Sequence, residues 1–423
     1  MAVPVATPLV LDPPSRLGAR RLPARTLHPY LVALDLYLIG WFVAVWDMWY
    51  IDNRRHAVIT AVGLLVIVLA PKKTILSMRL SLSIVPIMLW MLLSQYWSWN
   101  VEYFNAVFMK TIVDAPVLMV IAAIVPWDRL VQRLLLWFYV LLGFTYLYSL
   151  AYAEARLMIT PAETTWSWHG SFPHKNTMLM FLLLGFALVL GFEQRRRVRK
   201  VALAAIVVLV VLAHSTTGLG TLAVVLAVVL WVKLLQAERT SRRAAFLLIT
   251  MVAASALLAV GMWSIPYLAE FAGKDTTFSG RTDIWSATWW AIEREPLQGY
   301  GLGGAFTGVE LEPTREMVRQ IGFDAASAHN GVLDLVLQLG WIGFAAFLVF
   351  LVPLCARGWF LVKARDPLGL TVMVFVATLL FVSISEPVFL LSGFSVIAML
   401  HPPLLARVPR SATRRRELLA AAR

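Results

Sequence analysis

The sequence is poor in cysteine and in charged residues. Cys355 is its one cysteine, and charged residues make up only 14% of the 423 residues. A single cysteine excludes a disulfide within the chain and a zinc site built from several thiolates. Soluble domains carry about 25% charged residues. The low charge therefore excludes a disordered chain and an ordinary soluble enzyme of this length.

Hydrophobic residues are abundant, at 60% of the chain, and they are arranged in long blocks. Blocks such as 201–213 and 219–235 have the length and purity of membrane-spanning helices, which need about 17–25 apolar residues. The pattern predicts an all-α polytopic integral membrane protein with about twelve transmembrane helices. The predicted spans lie near residues 30–49, 56–70, 82–99, 107–125, 130–150, 177–192, 200–214, 217–235, 245–263, 331–355, 368–384 and 387–402.

Basic residues outnumber acidic ones, 37 to 24, and they lie mainly between the apolar blocks. If both termini are cytoplasmic, 27 of these 37 residues fall in inner segments, as the positive-inside rule requires. This placement favours membrane lipids over nucleic acid as partners. It also predicts a cytoplasmic tail at 1–29, a membrane domain at 30–402 and a basic cytoplasmic tail at 403–423.

The same orientation leaves two long loops on the outer face, near 151–176 and 264–330. The first loop ends in His174-Lys175-Asn176, directly before an apolar block. Asn176 or Thr177 is the predicted cap of that helix, whose free N–H groups and partial positive charge suit an anion. A plain helix boundary with a snorkelling Lys175 fits the pattern equally well.

The second loop contains Arg281 at the start of a predicted helix that ends before Pro296. Thr282 or Asp283 is its expected cap, and a guanidinium at this position can hold a phosphate through two hydrogen bonds. An interfacial arginine bound to lipid headgroups is the alternative interpretation.

His329 and Asn330 lie where the second loop re-enters the membrane. Asn330 is the predicted N-cap of the next span. The positive end of a helix favours the neutral form of an adjacent histidine, and neutral His329 can act as a general base. A boundary histidine without chemistry is the alternative interpretation.

Other polar residues complete the set of candidates. His214 and Glu386 lie in short outer connections, whereas Asp35, Asp47, Lys110 and Asp114 lie in or near spans, where ionisable groups are costly. Lys110 and Asp114 are four residues apart and can form a pair. Two Glu-x-Glu pairs, Glu293/Glu295 and Glu310/Glu312, are only a weak signal for metal binding, and we predict no metal and no cofactor.

Several of these stretches, in this order, resemble the O-antigen ligase and O-antigen polymerase superfamily. The His-Lys-Asn stretch is most similar to the branch that includes exopolysaccharide polymerases. The segments that carry the resemblance are Leu93–Ser98, Gly170–Asn176, Ser279–Arg281 with Trp285, Pro296–Gly301, His329-Asn330 with Gly340 and Gly343, and Ser385-Glu386.

The resemblance implies a metal-independent glycosyltransferase of the bacterial inner membrane, with its active site and a large loop of short helices facing the periplasm. It would transfer a glycan en bloc from undecaprenyl pyrophosphate to an acceptor hydroxyl, polymerising polysaccharide repeats. The resemblance implies catalytic roles for Arg281 and His329. Predicted substrate-binding residues are His174, Lys175, Asn176, His214, Asn330 and Glu386.

Three other functions stay open at this point. The acceptor can be lipid A core, as in an O-antigen ligase, or a protein hydroxyl. A lipid-linked glycan flippase is the non-enzyme alternative, although ionisable groups gather near the outer boundary rather than through the midplane, where a transporter would place them.

Overall fold

A computed structural model describes residues 31–39, 53–69, 80–101, 104, 112–159, 164–172, 174–236, 281–306, 310–390, 392–409 and 411–421. The described chain is helical apart from one two-stranded antiparallel hairpin. This agrees with the predicted all-α class, and the hairpin lies in the first of the two predicted outer loops.

Thirteen α-helices are bounded within the described ranges, and residues 31–39 are also helical. In chain order the elements are α1 Asn53–Val68, α2 Val85–Leu93, α3 Asp114–Ile124, α4 Trp127–Ala151, β1 Leu157–Ile159, β2 Thr164–Trp166, α5 Lys175–Phe192, α6 Arg196–Leu212, α7 Thr216–Leu235, α8 Arg281–Ile292, α9 Thr314–Ile321, α10 Gly331–Lys363, α11 Pro367–Val382, α12 Ser392–Arg407 and α13 Ala412–Ala421. Short 3₁₀ turns occupy Leu82–Ile84, Ser94–Tyr96 and Glu154–Arg156.

Four helices of the described chain are long and apolar enough to cross a membrane, namely α4, α5, α7 and α10. Helices α3 and α11 and the segment Leu82–Tyr96 are apolar but shorter. Helices overlap most of the twelve predicted spans, yet the number twelve stays a prediction. The span near 245–263, Asp47 and Lys110 lie outside the described residues, as do most of the first span and all of the tail at 1–29.

The helices pack around α11, which contacts α5, α7 and α10, while α12 packs against α3 and α10. These contacts bury one large apolar core that includes Phe138, Phe347 and Phe394. A second, smaller core joins α8 and α9 to the first turns of α10. The large outer loop is therefore folded onto α10, with Ile284, Ala287, Thr288, Ala291 and Ile292 forming the buried face of α8. Trp289 of the same helix is exposed.

Two predicted helix starts differ from those observed. Helix α5 begins at Lys175, and its cap is His174, whose Nδ1 accepts a hydrogen bond of 3.1 Å from the Asn176 N–H. The expectation of Asn176 or Thr177 as cap was wrong, because the His174 imidazole already accepts from the Asn176 N–H and the helix begins at Lys175. In α8, both predicted caps, Thr282 and Asp283, lie within the helix, whose described part begins at Arg281.

Asn330 is confirmed as the N-cap of α10. Its Oδ1 accepts from the N–H groups of Val332 and Leu333, at 3.0 and 3.1 Å. Two of the free donors at the start of this helix are thereby satisfied.

Helix α10 is broken at Gly340, where the backbone has φ 66°. The N–H groups of Trp341 and Ile342 donate to Pro296 O and Leu297 O, at 2.9 and 3.2 Å. The loop after α8 thus supplies the hydrogen bonds that the break removes from the helix. Irregular backbone at a break is tolerated in a membrane protein only where protein or water satisfies it.

The Gly299–Gly304 stretch is buried, and two side chains distant in the sequence anchor it. Ser94 Oγ accepts from Leu302 N at 3.1 Å, and Gln338 Oε1 accepts from Gly303 N at 2.8 Å. Gly301, with φ 83°, lies against the Ser98 backbone, where a Cβ would come within 2.4 Å of Ser98 Cα. The Leu93–Ser98 and Pro296–Gly301 motifs therefore contact each other.

Candidate functional site

Glu386 lies in the turn after α11, and three polar side chains converge on its carboxylate. Oε1 accepts a hydrogen bond of 2.6 Å from Asn176 Nδ2 and lies 3.6 Å from Arg281 Nη2. Oε2 lies 4.0 Å from His329 Nδ1. Ser215 joins the same network, because its Oγ donates to Asn176 Oδ1 at 3.0 Å. We call these five residues the Glu386 cluster.

The Glu386 cluster is assembled from the starts of three helices, α5, α7 and α10, and from Arg281 of α8. Asn176 is the second residue of α5, and Arg281 is the first described residue of α8. Ser215 caps α7 by accepting from Gly218 N at 3.2 Å, and His329 precedes the Asn330 cap of α10. Each helix N-terminus carries about half a positive charge and free N–H groups. Their convergence makes this end of the bundle favourable for an anion.

Cations reinforce the positive character of this region. Lys175 is the first residue of α5, half-buried next to Asn176, and Arg281 is also half-buried. Within the Glu386 cluster, Glu386 is the one acidic side chain. Burial raises the pKa of the Glu386 carboxyl, while the Asn176 hydrogen bond and Arg281 act in the opposite direction.

Both histidines of this region favour the neutral form. Burial, together with nearby Lys175, lowers the pKa of His174 to about 4. A neutral ring agrees with its role as a cap, because Nδ1 must be unprotonated to accept from Asn176 N. Burial and the charge of Arg281 also lower the pKa of His329.

His329 is held in an unusual backbone conformation. Its φ is 45°, in the left-handed region that non-glycine residues rarely occupy, and its N–H donates to Ser327 Oγ at 3.2 Å. Residues in such conformations are often functional. Its Nδ1 is buried without a hydrogen-bond partner among the described atoms, while the side chain as a whole is 32% exposed. The ring therefore presents one nitrogen towards Glu386.

The region around Asn330 ties the α10 start to the Glu386 turn. Gly331 N donates to Ser383 O at 2.6 Å, and Asn330 Nδ2 lies 3.5 Å from Ile384 O. Thr217 and Ser385 are joined by a hydroxyl contact of 3.2 Å. Backbone and side-chain contacts therefore fix Glu386 relative to α7 and α10.

The predicted site residues do not all meet. His174, Lys175, Asn176, Arg281, His329, Asn330 and Glu386 lie at or next to the Glu386 cluster. His214 is exposed, with φ 46°, and no contact within the described residues joins it to the cluster. Its neighbour Ser215 is a member that sequence reasoning did not select. The preference of serine for the N-cap position is the signal that would have found it.

The acidic pairs of the outer loop have local roles. Glu293 accepts from Trp289 Nε1 at 3.0 Å, and Glu312 forms an ion pair with Arg315. Among the side chains that the structure describes, no three or more His, Cys, Asp or Glu residues are grouped so as to hold a metal ion. Asp35 is also partnered, since its carboxylate lies 2.9 Å from Arg133 Nη1.

Comparison with known proteins adds a family match. Residues 201–348 match the family model described as O-antigen ligase. No curated protein matches the chain. The matched stretch runs from α6 into α10 and contains Ser215, Arg281 and His329 of the Glu386 cluster. It supports a membrane enzyme of the general O-antigen ligase and polymerase type, which acts on lipid-linked glycan. The O-antigen ligase resemblance found in the sequence motifs is therefore confirmed by this match over residues 201–348.

Proposed function

We propose that this protein is a glycosyltransferase that moves a glycan en bloc from undecaprenyl pyrophosphate to an acceptor hydroxyl. The reaction takes place at the periplasmic face of the inner membrane, at the Glu386 cluster. The acceptor is another glycan repeat, so that the product is a longer surface polysaccharide or exopolysaccharide chain.

The convergence of three helix N-termini and Arg281 on one site carries this proposal. A pyrophosphate leaving group gains negative charge in the transition state. Hydrogen-bond donors that are already positioned where this charge develops usually make the largest single contribution to catalysis. Arg281 and Lys175 supply full charges, and the helix starts supply N–H groups. Arg281 forms an ion pair of 3.6 Å with Glu386 through Nη2, and a guanidinium has further N–H donors that can bind a phosphate.

His329 is the proposed general base. The acceptor hydroxyl gives its proton to the ring while its oxygen forms a bond to the anomeric carbon of the donor glycan. The bond from that carbon to the pyrophosphate oxygen breaks, and its electron pair leaves with the lipid pyrophosphate. The imidazolium formed in this step can donate from Nδ1 to Glu386, which stabilises it.

A ligase that transfers the glycan to lipid A core is a second candidate, because the description of the matching family names ligation. Both functions use the same donor and the same leaving group. Deleting the gene separates them: loss of long chains indicates a polymerase, whereas long chains left on the carrier lipid indicate a ligase.

The direct test uses the purified chain with a defined undecaprenyl-pyrophosphate-linked glycan and an analysis of product length. We expect His329→Ala to lower transfer by at least about 100-fold, the typical contribution of a general base, while the protein still inserts normally. Asp324→Ala, at an exposed position of the same loop, is the matched control and should retain activity.

Two outcomes would contradict the proposal. Full activity of the His329→Ala variant would remove the proposed base. Movement of the lipid-linked glycan across vesicle bilayers without any glycosidic bond being formed would instead identify a flippase.

A further inference from the structure

A cavity of about 520 Å³ lies at the end of the bundle opposite the Glu386 cluster. It is bounded by the first turns of α4 and by residues 192–195, between the end of α5 and the start of α6. Helix α5 begins at the Glu386 cluster and has 18 residues, so about 27 Å separate the two sites at 1.5 Å per residue. The cavity is therefore distinct from the proposed active site.

Three guanidinium groups line this cavity, from Arg129, Arg133 and Arg195. Two of them are positioned by carboxylates. Arg195 contacts Glu193 through its backbone N, Nε and Nη2, at 2.9, 3.1 and 3.1 Å. Arg133 Nη1 lies 2.9 Å from Asp35. Arg129 is exposed and has no acidic partner in the part of the chain that the structure describes.

The carboxylate in the cavity wall, that of Glu193, already has hydrogen-bond partners. Glu193 also accepts a hydrogen bond of 2.8 Å from Tyr139 Oη. Its hydrogen bonds with Arg195 lower the pKa of Glu193 to about 2, so its charge does not change in the physiological range. With three arginines against two carboxylates, the cavity keeps an excess positive charge that suits an anion.

The cavity opens onto an apolar surface. Leu136 belongs to its lining and begins a row of exposed side chains that continues along α4 through Val140, Phe144 and Leu147. The spacing of three to four residues places them on one face of the helix. Helix α4 is one of the helices able to span a membrane. A hydrocarbon chain lying on this face would begin at the arginines.

We propose that this cavity binds the phosphate headgroup of an anionic phospholipid, whose acyl chains lie along the exposed face of α4. Basic pockets between helices at the membrane surface are a common form of headgroup site. A soluble phosphate has the same headgroup chemistry but no acyl chains that could cover the apolar row on α4. The proposal does not depend on the transfer reaction.

The test measures the thermal stability of the detergent-solubilised full chain during lipid titration. Phosphatidylglycerol should raise the melting temperature, because a ligand that binds only the folded state stabilises it. Phosphatidylcholine with the same acyl chains should not. Arg129→Gln should weaken the apparent affinity for phosphatidylglycerol by about tenfold, the effect of one lost charge-assisted hydrogen bond.

Arg197→Gln is the matched control. Arg197 is exposed at the same end of the bundle but does not line the cavity, so this variant should respond as the unmodified chain does. Equal weakening by both substitutions would reduce the effect to general surface charge and overturn the proposal. With the unmodified chain, equal stabilisation by phosphatidylglycerol and phosphatidylcholine would also overturn the proposal. Stabilisation by glycerol phosphate equal to that by phosphatidylglycerol would overturn it as well.

Discussion

At the scale of single residues, Glu386 connects groups of different chemistry. Its carboxylate contacts the amide of Asn176, faces the guanidinium of Arg281 and lies beside the imidazole of His329. It is therefore placed to act on both halves of the proposed reaction, the leaving group through Arg281 and the base through His329. We regard Glu386 as a positioning residue.

Replacing Glu386 with Gln tests this role. The glutamine carbonyl can still accept from Asn176, so we expect the melting temperature to change little. Loss of the negative charge removes support for the His329 imidazolium, and kcat should fall by about 10- to 100-fold. The measurement is steady-state transfer by the purified enzyme, with kcat and the donor KM determined separately.

The control is Glu312→Gln, which removes a more exposed carboxylate of the outer loop that pairs with Arg315. It should leave both constants unchanged. An unchanged kcat in Glu386→Gln would show that the carboxylate only holds the fold.

The pH dependence of transfer is a second prediction at the residue scale. A base must be neutral to act, and burial together with Arg281 lowers the pKa of His329 below 6.5. Activity should therefore persist as the pH falls through 6.5 and decline only at lower pH, where His329 becomes protonated. A profile of kcat/KM against pH measures this, and an acid limb centred at or above 6.5 would contradict it.

At the scale of secondary structure, the break in α10 depends on glycine at position 340. Gly340 has φ 66°, and a Cβ at this position would come within 2.0 Å of Leu297 O. Gly340→Ala must therefore both strain the backbone and displace the loop after α8. We expect a loss of about 2–4 kcal/mol of stability, measured by unfolding of the purified protein.

Helix α4 offers the matched substitution. A Cβ added to Gly143 would meet no atom within 4 Å, and alanine is favoured over glycine in a helix by up to about 1 kcal/mol. Gly143→Ala should therefore be neutral or stabilising. Equal stability of the two alanine variants would mean that the break does not depend on glycine.

At the scale of the whole molecule, the bundle has two chemically different ends. One carries the Glu386 cluster, and the other carries arginines of α4 and α6 together with the Arg407–Asp366 ion pair. Because basic residues are retained on the cytoplasmic side, we predict that the Glu386 cluster faces the periplasm.

Cysteine labelling tests this orientation, since Cys355 is the one cysteine to remove first. In a Cys355→Ser background, Ala326→Cys should react in spheroplasts with a membrane-impermeant maleimide. Arg197→Cys should react only after the membrane is permeabilised. Both positions are exposed, so the reverse pattern would invert the topology.

Part of this architecture was predictable because it depends on local sequence. Apolar blocks of sufficient length form helices wherever they pack, and Asn330 caps α10 because its side chain reaches N–H groups two and three residues ahead. Prediction failed where a residue far away in the sequence supplies the hydrogen-bond partner. Nothing near residues 299–304 in the sequence indicates that Ser94 and Gln338 anchor that loop.

The sequence by itself determined the helical membrane class and the residue types available for anion chemistry, because hydropathy and side-chain chemistry are local properties. Only the tertiary structure decided which of those residues meet. Asn176 and Glu386 are 210 positions apart, and both lie outside the 201–348 family match, yet they share a 2.6 Å hydrogen bond. Packing of α5, α7 and α10 around α11 brings the helix starts together at Glu386 and leaves His214 outside the cluster.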